Sequence, residues 1–380
     1  MKTSYIKLFG PVASLALIAG NVLAQNTGGN TQGQQIAALQ VTVSNLQAQV
    51  TELRSRLQYV SLTGKDMYIT GANLHIVSGS GSTDGPTNGL GNLIVGYNEL
   101  RGTFDNDRRG SHNVVVGKYH NYSSFGGLVV GGQNSISGRY ASVSGGFFNT
   151  ASGEGASVSG GEFNSASALC ASVSGGNSNV AGGTNAWVSG GARNTASGDW
   201  ASASGGAFNT ASTNLASVSG GYTNTASGYS ASISGGLQNT ASGDYASISG
   251  GTLNIAGGYS ASVTGGQLNT ASGGVASVSG GNGNNASGGF ATVTGGEFNT
   301  ASGSAASVST GIQNTASGDG SSVSGGEFNT ARANFASVSG GNGNTALGFG
   351  AAVGGGHSVV QTNNFGWAAG GTAAGTYRDP

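Results

Sequence analysis

Few residues of this chain have side chains that could do chemistry. Four histidines (His75, His112, His120, His357), one cysteine (Cys170) and a charged run at Asp105, Asp107, Arg108 and Arg109 are the candidates for metal binding, nucleophilic attack or ligand capture. Zinc needs three or four such ligands at close, regular spacings, and the histidines have none. Asp105 and Asp107 beside two arginines read first as a solvated loop with internal ion pairs, with a ligand site or calcium loop as the alternative. Serine is abundant, yet no histidine and aspartate accompany it in phase. No phosphate-binding loop, nucleophile elbow or zinc motif occurs, and the Gly-rich runs lack the aspartate of calcium-binding nonapeptide rolls. With one cysteine no intrachain disulfide can form, and Cys170 reads as an incidental small residue. The expectation is a chain with no catalytic residues, no cofactor and no metal, and no enzymatic activity.

Hydroxyls and aromatics recur, and their recurrence leads to the element that positions them. Blocks of fifteen residues start at Ala141, Ala156, Ala171 and so on to Ala351, fifteen times without insertion. Position three is Val or Ile, with Ala203 the one exception. Position six is always Gly; position nine is Asn and position eleven Ala in the first fourteen blocks. Position ten is Thr, and position twelve Ser, in ten of those fourteen. Apolar residues recur at position eight (Phe148, Phe163, Phe208, Leu253) and position fifteen (Trp200, Leu215, Tyr245, Val275, Phe290).

A fixed period this short means one structural unit stacked on copies of itself. Ser142-Val143-Ser144 is a short strand with one face inward. Gly145-Gly146 supplies a turn with φ > 0, and Asn tolerates the same left-handed region. Stacked at one height in every coil, the Asn side chains can also bond along the stack. Ala151 and its equivalents suit a second inward face. Each block is therefore read as one coil of a parallel β-solenoid with two short strands. At about 4.8 Å per rung the fifteen blocks would span roughly 70 Å. The core is thin, one Val and a few Ala per coil, so stability must come from the backbone ladder and from lateral packing.

This repeat, Ser-Val-Ser-Gly-Gly through Asn-Thr-Ala-Ser-Gly, resembles the head repeats of trimeric autotransporter adhesins, the YadA-like or haemagglutinin type. The resemblance covers residues 90–356. It implies a left-handed parallel β-roll, three chains side by side, and an adhesive role. Two departures matter: the family repeat is nearer fourteen residues, and the chain's end, GTAAGTYRDP, shows nothing like the alternating spans of a membrane β-barrel. Self-export and anchoring are therefore not implied.

In chain order, residues 1–24 read as a signal peptide, with Lys2 and Lys7, an apolar run from Leu8 to Gly20, and small residues before Gln25. Residues 25–35 read as a flexible polar linker. Residues 36–60 carry a heptad of Ile36, Leu39, Val43, Leu46, Val50, Leu53, Leu57 and Val60, the seam of a coiled coil. By residue type alone that seam leans to two strands; the resemblance implies three. Residues 61–140 read as irregular first coils, with strand-like alternation from Met67 to Val77. Strand-Gly units follow at Gly96, Gly117 and Gly131, with a charged loop between the first two. Residues 357–380 read as a degraded coil that caps the roll.

With 75 Gly in 380 residues and 7% charged residues, the composition excludes an ordinary globular enzyme. A net charge of −1 gives no electrostatic reason for nucleic-acid or membrane-surface binding. The expected function is that of a secreted or bacterial cell-surface adhesin-like homotrimer. Its partners would be itself and an extracellular protein or glycan, with no membrane span after processing. Two other classes stay open: an ice- or crystal-surface-binding solenoid using the Thr and Ser ranks, and a filament or coat subunit stacking end to end. The residues that would touch a ligand are not fixed by the sequence.

Overall fold

The computed structural model describes residues 32–102 and 105–370, together with the backbone of 376–378. The expected signal peptide and residues 25–31 of the expected linker lie outside the described residues. The chain divides into two units, 1–75 and 76–380.

In the first unit a helix, α1, spans Gln32–Arg56. Gln32 to Gln35, expected in the linker, are helical, and the helix stops before Val60, expected as its last seam residue. Arg54 and Arg56 lie in the last turn, where cations suit the carbonyl end of the helix dipole. Two strands follow, β1 (Val60–Thr63) and β2 (Asp66–Ile69), paired antiparallel with Val60 opposite Ile69. Gly64 turns the hairpin at φ +64°. From Gly71 to Val77, where alternation suggested strand, there is none. The helix buries no residue: Ile36, Leu39, Val43, Val50, Leu53 and Leu57 are all exposed.

The second unit is a parallel β-solenoid. Each coil of the array contributes two residues to each of two ladders. Ser142–Val143, Ser157–Val158 and Ser172–Val173 pair in parallel, equivalent residue to equivalent residue. Thr150–Ala151, Ser165–Ala166 and Val180–Ala181 do the same in the second ladder. A third contact joins the coils at position seven, where Phe147 bridges Glu162, Glu162 bridges Asn177, and so on to His357. The two strands expected per coil are present; the third bridge has no pattern in the sequence because position seven varies.

Positions one, three, nine and eleven point inward. Val143, Ala151, Ala156 and Val158 are all fully buried, as are the asparagines from Asn134 to Asn344. The Asn side chains form a continuous internal ladder. Asn149 Oδ1 accepts from the Asn164 N–H at 2.9 Å, and Asn164 Nδ2 donates to Gly160 O and Gly176 O, both at 2.9 Å. A buried amide is tolerable only when its bonds are met, and the repeat meets them with main-chain groups of its own coil and its neighbours. The asparagines are not the left-handed residues; that conformation falls on the position before them. Of the Gly pair only the second has positive φ in every coil but the last, as at Gly161 (+82°). A Cβ there would lie 2.1 Å from Gly176 O, so Gly is required for conformation and for space.

The ends differ from the middle. Strands Val114–Lys118 and Leu128–Gly132 are longer than those of the array, and Val115, Tyr122, Val129 and Ile136 give these first coils a bulkier core. At the other end Val359 replaces the ladder Asn, donating its N–H to Asn344 Oδ1. Gln361 replaces the inward Ala and accepts from the Asn363 N–H. The last strand of the first ladder, Trp367–Gly370, pairs antiparallel with Thr376–Arg378, which reverses the strand direction at that edge.

Candidate functional site

The variable positions of the repeat lie at two corners of each coil. Position eight, from Phe148 to Ser358, and position fifteen, from Gly155 to Phe365, take φ between +52° and +67° throughout. These corners reverse the chain between the two ladders. Their side chains project from the stack: Phe163 is 51% exposed, Trp200 63% and Phe290 64%. The aromatics contact one another along the stack. Phe148 stacks on Phe163 at 4.9 Å, and Tyr229, Tyr245 and Tyr259 form an edge-to-face chain at 5.5 Å spacing. The large residue shifts between positions fourteen and fifteen from coil to coil, which lets the rings interlock.

Position fourteen has a second role that no sequence signal announced. Its Asp and Asn side chains accept the N–H of the same position one coil earlier: Asp199 from Thr184 at 2.9 Å, Asn214 from Asp199 at 3.1 Å, Asp244 from Tyr229 at 2.9 Å. The carboxylates of Asp199, Asp244 and Asp319 are thus tied to the backbone. The signal, in hindsight, is the recurrence of Asp or Asn one residue before the block boundary.

The charged loop is a clamp. Arg101 donates from Nε to Tyr119 O at 2.6 Å, and from Nη2 to Gln133 O, Asn134 O and Ser135 Oγ at 2.8–2.9 Å. Arg108 donates to the carbonyls of His120, Asn98 and Glu99. Asp107 pairs with Arg109 at 2.8 Å, and Asp105 with Arg101 at 3.5 Å. The Arg109 guanidinium bonded to Asp107 holds that carboxyl below the usual carboxylate range. The Asp107 carbonyl accepts the Tyr122 N–H and the Asp105 carbonyl the Asn121 side chain, so this loop covers the first edge of the second ladder.

The histidines are scattered. His120 is buried at the start of the Asn ladder: Nδ1 accepts from the Asn134 N–H at 3.3 Å, and Nε2 donates to Val116 O at 3.0 Å. Burial pushes its imidazole below the ordinary histidine value. His112 bonds to the Ser78 N–H and Thr83 O. Among the described residues no three His, Cys, Asp or Glu side chains gather to hold a metal. Cys170 is exposed at the fifteenth-position corner.

The hydroxyl ranks lie on the flat sides between corners. Thr195, Thr210, Thr225 and Thr240 follow one another in register, half-buried. On the other side Ser157 and Ser172 bond hydroxyl to hydroxyl at 3.1 Å. Among the described residues no helix is long and apolar enough to cross a membrane. No protein-family model matches the chain, and no curated protein matches it.

Proposed function

We propose that this chain is an adhesin-like rod, exported to the cell exterior, that assembles as a homotrimer and binds an extracellular protein or glycan by many weak contacts at once. The observation that carries this is the division of labour within the coil. The invariant Gly, Asn and Ala positions are buried or sterically required, and the most variable positions, seven, eight, fourteen and fifteen, lie mostly on the outside. A fixed scaffold with repeated outward sites is suited to multivalent binding, in which several copies of a weak contact raise avidity without new contacts. Helix α1 supports self-assembly, because its seam residues Ile36, Leu39, Val43, Val50 and Leu53 are exposed and would be covered by copies of itself. The left-handed roll and the trimer are what the YadA-like resemblance adds.

Light scattering on the chain from Gln25 to Pro380 gives the first test, with a threefold mass expected. A monomer would remove the assembly and with it the multivalent mechanism. Retention of the chain on immobilised matrix proteins and glycans tests the ligand class. A protein that binds neither, singly or clustered on beads, is not an adhesin.

One observation favours a second reading. The in-register threonines from Thr195 to Thr240 form a regular hydroxyl lattice on a flat side, as an ice- or crystal-binding surface requires. Thermal hysteresis separates the two; its absence at high protein concentration ends the second reading.

A further inference from the structure

Two positions in every coil carry a conformational cost, and the ring contacts along the stack still leave their side chains about half exposed. The left-handed conformation costs a non-Gly residue about 1–2 kcal/mol, and most for a bulky or β-branched one. Gly is free of that cost and does occur at these corners, as at Gly155, Gly283 and Gly343. Yet the corners more often hold Phe, Leu, Tyr, Trp and even Val275, at φ +59°, and these side chains stay about half exposed. A strained backbone carrying an exposed apolar side chain points to a contact outside the chain itself.

The two corners are half a coil apart, so each chain carries two different apolar stripes on opposite ends of its cross-section. Two unlike stripes suit a head-to-tail contact, in which one stripe of each copy meets the other stripe of the next and the rotation closes into a ring. The contact has a natural register. From the coil at Ala201 to the coil at Ala351, eight of the eleven coils offer a large apolar side chain at one corner or the other; the coils at Ala216, Ala306 and Ala336 do not. In some coils sizes compensate, as Phe148 with Gly155, Gly283 with Phe290 and Phe298 with Ala305, while in others, as Phe208 with Leu215 and Phe328 with Phe335, both corners are large. Parallel copies in register bring identical residues to equal height, an arrangement that a chain with 7% charged residues can adopt with little repulsion. The area suffices. Each half-exposed large side chain has on the order of 100 Å² left to bury. Over the whole array seven such side chains stand at position eight and seven at position fifteen, so each stripe supplies roughly 700 Å², near the ~800 Å² per partner of a stable interface.

We infer that the copies join in register through unlike corners, position eight of one against position fifteen of the next. This rests on the self-assembly proposed above and deepens it. It removes the corner aromatics from ligand contact and leaves the other outward residues, variable position seven (Glu162, Asn177) with the Ser and Thr sides, as the binding surface.

Cys170 provides the test, because it sits at the fifteenth-position corner of the coil whose eighth position is Phe163. Phe163→Cys in the full chain, treated with a short bis-maleimide, is expected to give covalent oligomers on a denaturing gel. Neither the natural chain nor Phe163→Cys/Cys170→Ser should give any. Cross-linking of the double variant would mean that like corners meet at position eight. Cross-linking of the natural chain would mean that they meet at position fifteen. Either result, or no cross-linked oligomer from any of the three, overturns the inference. If Phe163→Cys does not fold, Glu162→Cys places the thiol one residue earlier at the same corner. Light scattering before cross-linking separates the levels: a trimer that fails to cross-link sinks only the unlike-corner contact, and a monomer sinks the assembly as well.

Discussion

The first coils, residues 76–140, and the array, residues 141–356, build the same parallel coil by different means. The first coils use bulk and long-range clamps: Tyr122, Val129 and Ile136 inside, Arg101 and Arg108 outside, and two separate short ladders, Asn92 to Asn113 to Gly127 and His120 to Asn134. The array uses repetition, with Val and Ala inside and one Asn per coil handing its oxygen to the next. A coil with unique neighbours needs unique contacts. A coil between copies of itself needs only one self-complementary set, and that set then becomes invariant. The difference predicts where each region breaks.

The largest effect is expected inside the array. Asn239→Leu removes the bonds from Nδ2 to Gly235 O and Gly251 O and the acceptor for the Asn254 N–H, at 2.9–3.0 Å. Gly251 O keeps its bond from Leu237, so the buried Asn254 N–H and the half-buried Gly235 carbonyl are left unmet, at about 1–3 kcal/mol for a buried group. A loss of roughly 3 kcal/mol or more is expected by denaturant unfolding. Because repeat stability passes from neighbour to neighbour, the damage should be centred on the coils around Asn239. Uniform loss of amide protection along the array would contradict the nearest-neighbour picture.

In the first coils the corresponding lesion is Arg101→Ala. It removes four bonds that tie the loop to the flank, three of them to carbonyls. About 2 kcal/mol is expected, confined to residues 97–140. Arg101→Lys should recover little, since an ammonium cannot span four acceptors as a planar guanidinium does. Hydrogen exchange reads both variants; equal protection of the loop in wild type and Arg101→Ala would show that the clamp does not hold it.

These two lesions mark what a sequence can disclose. The period, the inward Val and Ala and the stacked Asn were legible because repetition makes burial visible as invariance. The left-handed corners were not. Positions eight and fifteen vary freely, and neither concentrates Gly or Asn, the residues that usually betray φ > 0. The Arg101 clamp was invisible for the opposite reason. It occurs once, and Tyr119, Gln133 and Ser135 become its neighbours only after the coil closes. Reading Asp107 and Arg109 as an internal pair was possible because only one residue separates them.

A smaller effect sharpens the same contrast within the array. Position one is Ala in every block but one, where Ser321 stands. Its hydroxyl is buried, with no hydrogen-bond partner. Ser321→Ala fits the shape and removes an unmet polar group, so a gain of about 1 kcal/mol is expected. A destabilised variant would show that the hydroxyl finds a partner.

The smallest expected effect joins the two regions. His120 stands at the start of the Asn ladder, offering Nδ1 where later coils offer Oδ1. Burial, with Arg101 nearby adding to it, lowers its pKa in the folded chain. An unfolded histidine takes up its proton near about 6.5, so below that pH the unfolded state binds more protons than the folded one. The contribution of His120 is therefore complete above about pH 6.5 and declines as the pH falls towards the lowered folded value. Protonation would also turn the acceptor for Asn134 into a donor, opening the ladder at its first rung. The coils between Val114 and Ile136 should lose protection from exchange between about pH 7 and 5. The array, which contains no histidine between Ala141 and Gly356, is the internal control. His120→Asn substitutes the residue the array itself uses at this rung and should flatten the pH dependence. If the slope persists in that variant, the proton is taken up elsewhere, and the ladder does not begin at His120.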